Sequence, residues 1–167
     1  MSKNDFWRLR SQADGLSGPR VAGCVGITVE GLTGADFTAR QTLRNGETTC
    51  FLTGEDRNIT AKSWVSATED LVFIELSAGT GEARVKVDLT APANDRAVLR
   101  SGKSGSVYWL SRAFEDSVDI KTKVAISLKI FDADTARSIL IPPKGKVTIA
   151  IAVESRFKKE DPVDYVV

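Results

Sequence analysis

The sequence predicts an all-β protein: an antiparallel β-sandwich of Ig-like or jelly-roll order, with an arm at each end. Three observations predict it. Val118 to Phe131 alternates, with Val118, Ile120, Val124, Ile126, Leu128 and Ile130 on one phase. Asp119, Lys121, Lys123, Ser127 and Lys129 fall between them. A period of two gathers apolar groups on one face of a strand but scatters them around a helix. The run is long for a strand, so it either bends or splits near Thr122. Second, Ala83, Val85, Val87 and Leu89 alternate as cleanly with Arg84, Lys86, Asp88 and Thr90. Third, turn signals recur at short intervals and no long helical pattern interrupts them.

The chain divides into residues 1–20, an arm; 21–154, the sandwich; and 155–167, a second arm. In the first, Asn4 caps and Gly15 stops a short helix, with Phe6, Leu9 and Ala13 on one face and Trp7 beside it. A helix this short needs something to dock on. Val25 to Val29 is the first strand, and Gly31 to Gly34 turns. Phe37 to Leu43 and Thr48 to Leu52 pair through Asn45-Gly46, a two-residue hairpin signal. Ile59 to Val65 follows, with Trp64 out of phase with Ile59 and Ala61. Leu71 to Leu76 is apolar on both faces apart from Glu75, which marks a central strand. After Ala83 to Thr90, Asn94 to Arg100 reads as a helical turn. Val107 to Arg112 is an aromatic strand, and Ser138 to Ile141 a short one. Pro142-Pro143-Lys144-Gly145 forces a turn into the last strand, Val147 to Val153. The other face of that strand is Thr148, Ala150 and Ala152, so it is either central or covers a partner. The sum is eight or nine strands.

Composition narrows the function. Lys and Arg number 23 against 22 Asp and Glu, so the domain lacks the basic excess of a dedicated nucleic-acid binder. No stretch approaches the roughly 20 apolar residues that span a bilayer. The N-terminus lacks the apolar core of a secretory signal, so a non-secreted protein is expected. Cys24 and Cys50 are then read as two reduced, buried thiols rather than a disulfide.

There is no histidine. That removes the commonest general base, the partner of a Ser or Cys nucleophile and the commonest zinc ligand. Carboxylate-pair chemistry survives, with Glu69, Asp70, Glu75, Glu115 and Asp116 as the available groups, but acidic residues near turns are mostly solvated caps. Gly102-Lys103-Ser104 resembles the end of a phosphate loop, yet Ala97 stands where the first glycine belongs and a strand-like segment follows. A flexible turn accounts for it. Asp132-Ala-Asp134 opens like a calcium loop but lacks its glycine and closing glutamate. Trp7, Trp64, Tyr108 and Trp109 would suit sugar stacking, but Trp64 and Trp109 lie in strands and are expected in the core. No catalytic residue, metal or cofactor is expected.

From Gly81-Glu-Ala-Arg-Val-Lys-Val-Asp-Leu-Thr90, through Leu99 and Gly105, to Val107-Tyr-Trp-Leu110 and the long alternating run, the order of elements resembles Ig-like β-sandwich modules of bacteriophage structural proteins, such as baseplate, head-fibre, neck and capsid-associated components. The resemblance spans about residues 80–131 and carries no site residues. It implies a non-enzymatic virion part, assembled in the host cytoplasm from copies of itself and other virion proteins. Phe6, Trp7, Leu9, Phe157, Tyr165 and Val166 are the expected partner contacts. A carbohydrate-binding module is the alternative reading.

Overall fold

The computed structural model describes residues 21–92, 97–114, 121–131, 138–156 and 161–167. Within them lie eleven strands and one helical turn. They are β1 (Cys24–Val29), β2 (Asp36–Thr42), β3 (Glu47–Thr53), β4 (Asn58–Val65), β5 (Leu71–Ala78) and β6 (Ala83–Thr90). There follow β7 (Val98–Ser104), β8 (Val107–Phe114), β9 (Thr122–Phe131), β10 (Ser138–Ile141), β11 (Lys146–Arg156) and α1 (Val163–Val166). The fold is an all-β antiparallel sandwich. A small sheet in the order β1-β6-β10 packs on a large sheet in the order β2-β3-β4-β5-β11-β9-β8-β7.

The last strand makes the large sheet continuous. β2 to β5 form one meander and β7 to β9 another; β11 runs between β5 and β9 and hydrogen-bonds to both. Its uncharged second face is therefore the face of a central strand, one of the two situations its sequence allows. The alternating pattern of β6 reflects a sheet with one solvent face: Ala83, Val85 and Val87 are at most 1% exposed, pointing from the middle of the small sheet at the large one, while Arg84 and Lys86 are exposed. They meet Leu76, Leu110, Ile126, Leu128, Val147 and Ile149 in one core. Burying side chains of this kind stabilises by about 1.5–3 kcal/mol each.

Three strands cannot cover eight. The hairpin of β2 and β3 overhangs the small sheet, and every residue of β2 is exposed. Phe37, in line with Leu52 and Ile59 on the inward face, is 64% exposed for want of a facing layer.

Several sequence expectations are corrected. The loop joining β2 and β3 runs from Leu43 to Gly46, because Thr42 pairs with Glu47. Gly46 takes φ +65°, but Asn45-Gly46 is not a two-residue turn. Val98 to Arg100 begins a strand rather than completing a helical turn; residues 93–96 lie outside the described set. Gly102, Lys103 and Ser104 belong to β7, and the turn is Gly105-Ser106 alone, with Gly105 at φ +56°. Cys24 is exposed and Cys50 half-buried, both as free thiols, so neither is the buried thiol expected. Of the long alternating run, β9 begins at Thr122, and 115–120 lie outside the described residues.

Candidate subunit-docking surface

The outward face of the large sheet is built from residues whose phase is opposite to the core. Cross-strand pairing aligns them in rows: Trp64, Phe73, Ala150 and Lys129; then Leu71, Ala152, Ser127 and Trp109; then Glu154, Ala125 and Ser111, with Arg100 beyond. Trp64 and Trp109 thus stand outward and half-buried, not in the core as expected. An aromatic in a strand has two faces to choose from, and both are set here by register.

The Trp64 and Phe73 rings stack with centroids 5.5 Å apart and planes 18° apart. Rings that cover each other's faces stabilise the sheet but do not form a shared flat platform. Trp109 lies on Gly102, where a Cβ would come within 2.6 Å of its ring. The Arg100 guanidinium sits 5.8 Å from the Trp109 ring centroid.

Between these aromatics the sheet surface is made of small side chains, and the chain's own C-terminus occupies part of it. α1 packs on β8, β9 and β11. Ser111, Ala125 and Ser127 are 7%, 0% and 3% exposed beneath it, so the charged outer face read from the sequence of β9 begins only at its ends. Ser127 Oγ donates to the Val166 carbonyl oxygen at 2.5 Å. The Arg156 guanidinium lies 3.9 Å from the Tyr165 ring centroid. Ahead of the helix, Asp161 Oδ2 accepts from Arg100 Nη1 at 2.9 Å, and its Oδ1 accepts from the Val163 N–H at 3.2 Å. Partial burial raises the Asp161 pKa, but those two donors, helped by Lys123, outweigh it and hold the carboxyl below its ordinary value.

The expected contact residues separate accordingly. Tyr165 is 52% exposed, with Arg156 against its ring; Val166 is 8% exposed and faces its own sheet. Residues 161–167 are therefore a docked helical turn instead of an extended arm, with Val166 as its anchor. Phe6, Trp7, Leu9 and Phe157 lie outside the described residues, as do Glu115, Asp116, Asp132 and Asp134. Glu75 is committed to Lys146 Nζ at 3.0 Å, and Glu69 and Asp70 sit exposed at the turn before β5. No protein-family model matches the chain, and no curated protein matches it either.

Sequence reasoning missed Arg112. It points inward from β8, in phase with Leu110, and is 1% exposed. Its Nη1 donates to the Val21 carbonyl oxygen, and its guanidinium lies 5.0 Å from the Phe114 ring centroid. An arginine in an alternating strand reads as a surface residue, so nothing local announced it. Its consequence is positional. Val21, where the described chain begins, and Asp161, where its last segment begins, are held by the neighbouring strands β8 and β7. Arg112, Asp161 and Pro162 line one cleft of about 170 Å³.

Proposed function

We propose that this protein is a non-enzymatic structural component of a virus particle, assembling with copies of itself and other virion proteins. The observation that carries the reading is that both terminal segments are anchored at one margin of the large sheet, by the neighbouring strands β8 and β7, on its inward and outward faces. Arg112 fixes the root of the N-terminal segment at Val21, while Arg100 and Ser127 fix the C-terminal one at Asp161 and Val166. Segments rooted on such a body add interface area that a small domain lacks. The resemblance to phage sandwich modules supplies the viral setting. β11 contributes only its face, since both its edges are hydrogen-bonded within the sheet. Contacts from Phe6, Trp7, Leu9, Phe157 and Tyr165 belong to this reading, with Val166 holding the last of them in place.

The test is assembly. Purified protein should form multi-subunit particles in electron micrographs, and deletion of residues 1–20 should lower the mass measured by light scattering. A strict monomer, or a mass untouched by the deletion, counts against it.

A further inference from the structure

We infer that β2 is a self-pairing edge: two copies of the chain join β2 to β2 antiparallel about a two-fold axis at Thr38, which makes one sheet of two eight-stranded halves.

Among the described residues β2 is the outer strand of the large sheet, paired with β3 on one side only. Its other side carries a row of backbone donors and acceptors that no described strand pairs, and another strand can satisfy them. Natural edges are blunted by proline, by charged side chains and above all lysine, by bulges or by shortness. β2, Asp36-Phe-Thr-Ala-Arg-Gln-Thr42, has no proline, no lysine and no bulge in its pairing with β3; its two charges are opposite in sign, and all seven of its residues are exposed. Among the described strands the other edges are less suited. β10 has four residues. β7 carries Arg100 and Lys103, which would repel their own copies. β1 is half-buried over most of its length.

The charges of β2 select the partner and the register. Asp36 and Arg40 both point outward from the large sheet, and neither is in any ion pair among the described residues. Antiparallel pairing centred on Thr38 sets Asp36 opposite Arg40 of the second copy, and Arg40 opposite its Asp36. Pairing centred on Phe37 or Ala39 sets neither pair. Opposite charges facing across strands stabilise, and like charges destabilise. The same register puts Phe37 opposite Ala39 of the other copy, twice, a large side chain beside a small one. Phe37 is 64% exposed and Phe51, the neighbour of Thr38 on β3, 44% exposed, so pairing would cover apolar surface on both faces. The inference needs neither the terminal arms nor a viral setting.

Sedimentation equilibrium on the full chain tests it. The wild type should show a dimer, or larger species built from dimers. Arg40→Asp faces like charges across the axis twice and should raise the dissociation constant about tenfold or more. Asp36→Arg with Arg40→Asp restores opposite charges and should recover the wild-type constant. Thr38→Cys, with Cys24→Ser and Cys50→Ser, should form a covalent dimer on mild oxidation, with circular dichroism reporting that each variant keeps its strands. A monomer at every concentration overturns the inference, as does an assembly indifferent to Arg40→Asp or not rescued by the double exchange. Assembly lost on deleting residues 1–20 but unmoved by Arg40→Asp overturns edge pairing and leaves the arm reading standing. Dimerisation lost with Arg40→Asp but retained by the deletion does the reverse.

Discussion

The hydroxyl of Ser127, in the middle of β9, donates to the carbonyl oxygen of Val166, one residue from the end of the chain, at 2.5 Å. Both groups are buried, so the bond forms where water cannot substitute. It holds residues 161–167 as a cap over Ser111 and Ala125. Ser127 is small enough to let the helix approach and polar enough to hold it.

Ser127→Ala should release that cap. The Val166 carbonyl would lose its donor at a cost of about 1–3 kcal/mol. Amide exchange at Tyr165 to Val167 should speed by about tenfold or more. Exchange in β3 and β4, on the far side of the large sheet from the helix, should stay unchanged.

The Asp161 carboxyl should titrate below 3.8, its ordinary value. A depressed folded-state pKa means that its stabilising effect is present above the unfolded value and fades as pH falls through the folded one. Protection of α1 should therefore weaken in acid below that value. Arg100→Ala removes one of the lowering partners and should move the Asp161 pKa up, as carboxyl carbon shifts would record. Arg100 is largely exposed, so global stability should change little.

Ile149 is 0% exposed in β11, between Ile74 of β5 and Ile130 of β9. It joins the two meanders by packing as the strand joins them by hydrogen bonds. Ile149→Ala should cost about 2–5 kcal/mol, read as a lower urea midpoint. The transition should stay single, because neither meander has a closed core without β11.

Gly102→Ala places a methyl group 2.6 Å from the Trp109 ring. The indole must swing off β7 or the strand must move, at about 1–3 kcal/mol. Trp109 emission should shift to the red as the ring is exposed. Gly105→Ala, with open space around the glycine but a positive φ, should leave that emission unchanged while still costing stability.

Much of the strand content was legible residue by residue. The β6 and β11 patterns identified their inward faces correctly, and Leu71 to Leu76 read as central because both of its phases are apolar. β7 was not legible: Arg100, Gly102, Lys103 and Ser104 have no alternation, and the strand is defined by its backbone pairing with β8. Trp64 and Trp109 were assigned to the wrong side since an aromatic suits either face of a sheet. Arg112 was invisible for the opposite reason. Its charge argued for solvent, while its actual partners are the Val21 carbonyl and the Phe114 ring, 91 residues away and next-but-one along the strand.

By itself the sequence determined the all-β class and the inward phase of its clearest strands, and it left no histidine for catalysis. The tertiary structure alone decided that β11 bridges two meanders, that residues 161–167 cap one face, and that β2 lies at an edge of the sheet among the described strands. The physical reason is that side-chain alternation is written locally, two residues at a time. Backbone hydrogen-bonding groups are nearly the same at every position, so which strand pairs with which is settled only when all the apolar faces are buried together.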